Sequence, residues 1–227
     1  MSGADRSALA AARRCLEDLV AFEGDWFVSP EAPAAPLDPA KGDDELERFR
    51  QEICDCTRCA LAQSRKRFVF GTGDPHAGIL FVGEAPGADE DRQGEPFVGA
   101  AGQLLTRIIE AMGFSREQVY ICNVLKCRPP GNRDPLPEEV AACESHLKRQ
   151  VELVAPRLIV ALGRVAAQVL LKTAEPMGRL RGSLHRYENV PVIVTYHPAA
   201  LLRNPEWKRP TWEDIKWARR EYDGVEL

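Results

Sequence analysis

Four cysteines of this 227-residue chain are spaced as ligands of a metal ion or an iron–sulfur cluster. Cys56 and Cys59 form a C-x2-C pair, and Cys127 and Cys143 follow later with fifteen residues between them. A C-x2-C turn directs two thiolates at one ion or cluster, and two more from elsewhere complete a four-sulfur site. The spacing therefore predicts a site that ties a segment before the first strand to a distant part of the chain. Four thiolates alone permit zinc as well as iron.

A second group of residues has the chemistry to hold a planar base. Glu84, Asn123 and His197 each stand in or just after a short apolar segment. Asn carries a donor and an acceptor side by side, which matches the Watson–Crick edge of a pyrimidine, although an Asn that caps a turn is equally common. His197 precedes a proline, which favours an extended backbone. Phe97 lies in a Gly/Pro-rich loop, where it either fills the core or stacks on a planar ligand.

An apolar pair followed by a cation lies directly after His197. Leu201 and Leu202 precede Arg203 in the segment YHPAALLRNP. Such a pair usually folds back into the core. Alternatively, the leucines enter a base stack as a wedge while Arg203 holds a phosphate.

The elements that would position these residues alternate between strand and helix from about residue 66. Apolar segments predict four strands, at residues 79–82, 119–124, 158–162 and 190–195. A short charged helix is predicted at residues 43–53. Further helices are predicted at residues 103–112, 137–154, 164–171 and 211–222, the last of them capped by Thr211. Apolar strands separated by helices indicate an α/β fold whose parallel sheet has helices on both faces. Sites in such folds form at the carboxyl ends of strands, which selects the segments after residues 82, 124 and 195.

Composition and charge narrow the class of protein. Seven cysteines cannot all pair within the chain, which excludes a complete disulfide framework. No signal peptide is evident, and no apolar run approaches the roughly 20 residues needed to span a bilayer. These features predict a cytoplasmic protein with reduced cysteines and no membrane partner. A net charge of −4 argues against a surface uniformly coated with DNA-binding charge, but it permits a local basic face.

The N-terminal part of the chain differs from the rest. Residues 5–22 have the pattern of an amphipathic helix, and residues 29–42 (SPEAPAAPLDPAKG) read as a semi-rigid linker. We therefore predict a helical extension at residues 1–28, a linker and lead-in at residues 29–48, and one domain at residues 49–227.

Several segments together resemble the family 4 uracil-DNA glycosylases, the iron–sulfur branch of the uracil-DNA glycosylase superfamily. They are VGEAPGADED, GEPFVGAAGQLL, YICNVLKCRPPGNRDPLP and YHPAALLRNP, with the four cysteines at the family's positions. The resemblance covers about residues 54–222. It implies a three-layer α/β/α sandwich with a central four-stranded parallel sheet, and a [4Fe–4S] cluster on Cys56, Cys59, Cys127 and Cys143. It also implies removal of uracil from DNA in the first step of base-excision repair. We expect the DNA to be single- or double-stranded and the protein to be a monomer.

The resemblance assigns base recognition to the strand ends. Uracil must leave the base stack before its bond to the sugar can be reached. Phe97 would stack on the flipped ring, and Asn123 would bond its O4 and N3–H edge. The backbone amides from Gly83 to Ala85 would approach the ring closely, because this loop is rich in glycine.

The resemblance also assigns the chemistry. His197 would donate a hydrogen bond to O2, where negative charge develops as the base departs. Glu84 would position the attacking water and stabilise the positive charge on the sugar. The acidic run at residues 89–91 would crowd the 5-methyl group of thymine, and the sequence does not single out one member of that run.

The remaining expectations concern DNA and the rival functions. A basic face for phosphates would draw on dispersed cations: Lys126, Arg128, Arg133, Arg179, Arg181, Arg203, Lys208 and Arg209. One rival is a covalently trapping uracil-DNA-binding protein, which the resemblance disfavours because RPPGNRDPLP contains no histidine. The other is a non-catalytic DNA-binding module with a four-cysteine zinc site. Cys54 and Cys122 could compete as ligands, although Cys122 lies in a predicted strand.

Overall fold

The computed structural model describes residues 42–224, with side chains from residue 45 onward. The predicted amphipathic helix at residues 5–22 and the linker up to residue 41 lie outside the described residues. The first described helix, α1 (Gly42–Ile53), agrees with the predicted charged helix and runs through the predicted domain boundary at residue 49.

A mixed sheet of six strands forms the centre of the described part. The strands are β1 (Thr72–Gly73), β2 (Ile79–Gly83), β3 (Tyr120–Asn123), β4 (Leu158–Leu162), β5 (His185–Tyr187) and β6 (Val190–Thr195). Their order is β1-β3-β2-β4-β6-β5. The four inner strands run parallel, whereas β1 and β5 pair antiparallel at the two edges.

The prediction of four strands was therefore incomplete. Each edge strand has only two or three residues and no apolar run, so neither produces a periodic signal in the sequence. The inner strands are buried along nearly their whole length, which explains why their apolar runs were readable.

Seven further helices connect and cover the strands. They are α2 (Ala88–Gln93), α3 (Ala100–Ala111), α4 (Pro137–Val154), α5 (Arg164–Leu171), α6 (Met177–Leu180), α7 (Pro198–Arg203) and α8 (Lys208–Asp223). The predicted bounds of α4 and α5 are confirmed. The cap predicted at Thr211 is wrong, because α8 begins at Lys208 and the Thr211 hydroxyl donates to the carbonyl of Trp207 at 2.8 Å. None of the helices between residues 42 and 224 is long and apolar enough to cross a membrane.

Helices cover both faces of the sheet. One buried cluster joins alternate strand residues, such as Leu80 and Ile159, to apolar side chains of α1, α4 and α5. The intervening strand residues, such as Phe81, point to the opposite face because successive side chains alternate along a strand. Helix α8 packs against β4 and β6 through Ile215, which lies outside that cluster. The arrangement is that of an α/β fold with a sheet between two helical layers.

Candidate active site

The carboxyl ends of β2, β3 and β6 meet around one pocket of about 370 Å³. Glu84 follows β2, Asn123 ends β3, and His197 follows β6. All three line the pocket, together with Phe97 and Ala85. Because parallel strands end at the same edge of a sheet, residues that are far apart in sequence converge here.

Gly83 allows the pocket walls to approach one another. A Cβ atom at this position would lie 2.6 Å from Cζ of Phe97 and would overlap Oδ1 of Asn123. The Phe97 ring is buried, and its backbone has a φ of 53°, a left-handed conformation that is costly for a bulky residue. The packing around Gly83 therefore holds the Phe97 ring beside the Asn123 amide.

Asn123 presents an acceptor that no group in the described part of the chain satisfies. The side chain is 2% exposed, and its Oδ1 has no hydrogen-bond partner. An unpaired buried acceptor costs about 1–3 kcal/mol, so the group is available to a ligand that brings an N–H donor.

His197 presents a donor to the same pocket. Its Nδ1 accepts a hydrogen bond from the backbone N–H of Ala199 at 3.1 Å, which leaves the proton of the neutral ring on Nε2. Burial, assisted by the charge of Arg203, lowers the pKa of His197 to about 4, so the ring is neutral at pH 7. Its backbone has the extended geometry expected before Pro198. The His197 and Phe97 ring centroids lie 5.4 Å apart.

Glu84 is partly buried beside a second carboxylate that the sequence reasoning missed. Burial raises the pKa of Glu84, the charge of Asp134 raises it further, and the charge of Arg164 lowers it. Asp134 lines the pocket and pairs with Arg164, with Nη2 and Oδ2 2.6 Å apart. Asp134 lies in the segment YICNVLKCRPPGNRDPLP, whereas its partner Arg164 follows β4, so no local pattern in the sequence links the two residues.

The acidic run at residues 89–91 points in three directions. Asp89 is partly exposed, Asp91 is buried outside the pocket, and Glu90 lines it. One oxygen of Glu90 accepts hydrogen bonds from the amides of Val98 and Gly99 at 2.9 and 3.0 Å. Glu90 therefore holds the end of the loop that carries Phe97.

The apolar pair after His197 lies in a helix and not in a loop, and its two leucines differ in exposure. Residues 198–203 form α7, in which Leu201 is 1% exposed and Leu202 is 48% exposed. Leu201 packs inside the protein in this structure, so the expectation that both leucines form a wedge does not fit. Leu202 remains exposed beside Arg203, which lines the pocket.

Two cations of the predicted basic face belong to the interior instead. Lys126 is fully buried, and its ammonium donates to the carbonyl of Asn123 at 2.6 Å. Arg181 forms a two-point ion pair with the buried Asp214, at 2.7 and 3.0 Å. Removing one partner of a buried pair costs about 3–5 kcal/mol because the other charge is left unpaired, so Arg181 serves to compensate Asp214.

The other cations of the predicted basic face lie nearer the surface. Arg133 pairs with Glu139 at 2.6 Å, and Arg128 donates to the side-chain oxygen of Asn132. Arg133 and Arg203 also line the pocket. The remaining members are Arg179, Lys208 and Arg209, of which Arg179 lies 3.4 Å from Glu175.

The four predicted ligand cysteines are free thiols in neighbouring segments. Cys127 and Cys143 are buried, whereas Cys56 and Cys59 are partly buried. Burial raises the pKa of Cys143 to about 11 and also raises that of Cys127, and charges on other cysteines of the set raise both further. Among the described side chains, no three His, Cys, Asp or Glu residues converge closely enough to hold a single metal ion.

Hydrogen-bond donors surround these thiols. Nη1 of Arg65 lies 3.5 Å from the sulfur of Cys127, and the same guanidinium donates to the carbonyls of Cys54 and Cys56. Nε2 of His146 lies 3.4 Å from the sulfur of Cys56. The Arg65 guanidinium is a donor, and His146 is one in its Nε2–H tautomer. Donors stabilise thiolates, which are the form in which cysteine binds metals. Neither residue carried a signal in the sequence, because each is distant from the cysteine that it contacts.

Several known proteins are similar to this chain. A family model described as the Uracil DNA glycosylase superfamily matches residues 70–219. A type-4 uracil-DNA glycosylase of Archaeoglobus fulgidus is 46% identical over 181 residues, covering 76% of this chain and 91% of that protein. A type-4 uracil-DNA glycosylase of Thermotoga maritima is 44% identical over 178 residues, covering 77% of this chain and 93% of that protein. A type-5 uracil-DNA glycosylase of Thermus thermophilus is 38% identical over 142 residues, covering 56% of this chain and 64% of that protein.

Proposed function

Because the chain belongs to the uracil-DNA glycosylase superfamily, we propose that it is a uracil-DNA glycosylase, which flips uracil out of DNA and hydrolyses its N-glycosidic bond. This reaction starts base-excision repair. The observation that carries the proposal is that one pocket contains both the unsatisfied acceptor of Asn123 and the Nε2 donor of neutral His197.

The pocket offers the complement of uracil. Oδ1 of Asn123 accepts from N3–H, its Nδ2 donates to O4, and the Phe97 ring stacks on the base. Cytosine presents an acceptor at N3 and a donor at C4, so this arrangement leaves its edge mispaired. The amides of the loop from Gly83 to Ala85 approach the ring from the end of β2.

The chemistry is assigned to two side chains. His197 donates from Nε2 to O2 as the base leaves as an anion, and a preorganised donor of this kind contributes about 3–4 kcal/mol. Because the ring starts neutral, it stabilises the anion through a hydrogen bond without first transferring a proton. Glu84 orients the attacking water and offsets the positive charge that develops on the sugar. An anionic leaving group needs no second carboxyl group as an acid.

Glu90 is the member of the acidic run that we assign to the exclusion of thymine. It is the one of the three that lines the pocket, and two backbone amides fix one of its oxygens. A carboxylate held in this way cannot move aside easily for an added methyl group.

We further propose that Cys56, Cys59, Cys127 and Cys143 hold a [4Fe–4S] cluster. Such a cluster binds each thiolate through a different iron, so the four sulfurs need not converge on one atom. The fit is supported by the mutual influence of the thiols on their pKa values and by the donors that surround them. The bound cluster supplies a cross-link between distant segments, since hydrolysis transfers no electrons.

Four further assignments complete the proposal. We assign the phosphates of the DNA to Arg203 at the pocket rim, with exposed Leu202 beside it. We also propose that the catalytic domain occupies residues 49–227, acts as a monomer, and works in the reducing cytoplasm, where thiolates stay available for iron. Light scattering of the purified protein checks the monomer.

The activity is tested with matched oligonucleotides that carry uracil, thymine or cytosine at one position, as single strands and as duplexes. After incubation, alkali cleaves the strand wherever a base has been removed. We expect cleavage at uracil only. An intact uracil strand in both forms would overturn the proposal.

The two rivals have separate readouts. A trapping protein would give a DNA–protein band that survives denaturing electrophoresis, whereas a hydrolase gives a free abasic strand. A zinc module would be colourless and contain one zinc, whereas the proposed cluster absorbs visible light.

A further inference from the structure

Lys126 is a buried cation that touches both regions described above. Its side chain is fully buried, in the turn that leaves β3. Its ammonium donates to the backbone carbonyl of Asn123, the residue that presents the unsatisfied acceptor to the pocket. Its carbonyl accepts a hydrogen bond from the amide of Val69 at 2.9 Å, and the proposed ligand Cys127 is the next residue in the chain.

The ammonium has no carboxylate partner within residues 45–224. Of the ion pairs between described side chains, none includes Lys126. The next residue in the chain is the buried thiol Cys127. Burial raises the pKa of two further thiols, Cys143 and Cys122, and the charge of Lys126 partly offsets that increase. A buried charge is costly unless a counter-charge or hydrogen bonds compensate it, and one carbonyl satisfies only one of the three ammonium donors.

We propose that Lys126 is a positioning residue that couples the four-cysteine site to the base pocket. Its ammonium pairs with the anionic thiolates of the loaded site and simultaneously holds the carbonyl of Asn123. Four thiolates outweigh the positive charge of an iron–sulfur core, so the loaded site is the counter-charge that the ammonium otherwise lacks. This inference rests on the cluster in the proposed function.

Lys126 alone would connect the four-cysteine site to the base pocket. A cluster bound at Cys127 would fix the turn that contains Lys126, since Cys127 adjoins it and the amide of Val69 already holds its carbonyl. The ammonium then fixes the end of β3, where the Asn123 side chain must meet the base edge. A hydrolase that needs no electron transfer can therefore still depend on the cluster for the geometry of base recognition.

The test compares holoenzymes of the wild type, Lys126→Met and Lys126→Arg, with Arg58→Met as the matched control. Arg58 adjoins the ligand Cys59, but it is exposed and donates to Ser145. Two quantities are measured for each protein: the reduction potential of the cluster by voltammetry, and the single-turnover rate of uracil release. The wild type first establishes visible absorbance and uracil release, so that failure of the proposed function is recognised separately.

We expect Lys126→Met to shift the potential to more negative values, because a buried cation stabilises the reduced and more anionic cluster. The same variant should release uracil about three- to tenfold more slowly, as expected for one lost hydrogen bond. Arg58→Met should shift the potential less, because water screens its charge, and should keep the wild-type rate. Lys126→Arg should recover the potential, since it keeps the charge.

Three outcomes would overturn the inference. One is a Lys126→Met potential that moves no further than that of Arg58→Met. Another is a shifted potential with an unchanged rate of uracil release, which would separate the cation from the pocket. The third applies if Lys126→Met binds no cluster, in which case Lys126→Arg is decisive. An Arg variant that binds the cluster supports the charge pairing, and an Arg variant without a cluster overturns the inference.

Discussion

The base pocket and the cysteine region differ in charge: carboxylates predominate around the pocket, whereas cations lie next to the cysteines. Three carboxylates line the pocket, those of Glu84, Glu90 and Asp134, against two guanidinium groups, and its histidine is neutral. In the cysteine region Arg65 contacts the sulfur of Cys127, and the buried Lys126 precedes Cys127 in the chain. Each region thus complements what it is proposed to hold: a sugar that becomes positive in the first, and anionic thiolates in the second. The two regions are four residues apart along the chain, at Asn123 and Cys127, and between them Lys126 donates to the carbonyl of Asn123.

The comparison is tested most severely by removing one ligand of the cysteine region. Cys143→Ala should lose nearly all of the visible absorbance, because three thiolates leave one iron open to solvent and loss. Cys122→Ala is the matched control, since Cys122 is also buried but lies in β3 outside the proposed ligand set. Equal loss of absorbance in both variants would contradict the assignment of the ligands.

The opposite experiment removes the donor of the pocket. His197→Ala should lower the single-turnover rate of uracil release by about 10²–10³, the usual cost of one preorganised donor, while the visible absorbance stays unchanged. His185→Ala serves as the control, because that ring bonds the carbonyl of Leu180 and does not line the pocket. A wild-type rate in the His197 variant would mean that the site lies elsewhere.

Asn123→Ala should lower the same rate at least about tenfold, because the base edge loses its hydrogen bonds. Absorbance should again be retained, since the backbone carbonyl that Lys126 contacts remains in place. Unchanged rates for both Asn123→Ala and His197→Ala would mean that the pocket is not the base-recognition site.

The charge of the pocket predicts an acid limb in the pH–rate profile. Burial and Asp134 raise the pKa of Glu84, so its carboxylate protonates, and the rate falls, at a higher pH than for an ordinary glutamate. His197 stays neutral until about pH 4 and therefore does not produce this limb. Glu84→Gln should be about tenfold slower at neutral pH and flat down to pH 5. An identical acid limb in the variant would assign the titration to another group.

The smallest effect is expected at the pocket rim. Arg203→Ala should reduce the slope of log K against log salt for DNA binding by about 1, because one phosphate contact is lost. Arg149→Ala is a control of equal charge, since Arg149 pairs with Glu152 on the surface of α4. Equal slopes for the two variants would remove Arg203 from the DNA interface.

Much of the fold was predictable because its inner strands and main helices are strongly patterned. The limits of an element can be read where its apolar pattern begins and ends, as for the buried strands β2 and β4 and the apolar face of α4. Helix α7 was missed, because a six-residue helix begun by His197-Pro198 offers too short a window for a period. The edge strands were missed for the same reason.

The candidate site divides in the same way. Glu84, Asn123 and His197 were identifiable because strand ends in parallel sheets converge, whatever the distance along the chain. Asp134 and Glu90 were not identifiable individually, since their positions depend on a partner from another element and on backbone amides across a loop. The prediction that Lys126 and Arg181 belong to a basic face was wrong, because the sequence alone does not tell whether a charged side chain is solvated or buried.

The sequence by itself thus determined the family, the parallel strands, the cysteine spacing and the residue types at the strand ends. Only the tertiary structure decided which charges face the pocket, that Leu201 is buried, and that Lys126 is buried against the carbonyl of Asn123. The physical reason is that local pattern reports on periodic burial along one element. Burial of a single polar group, and the partner that compensates it, depend on contacts between elements that the order of residues does not state.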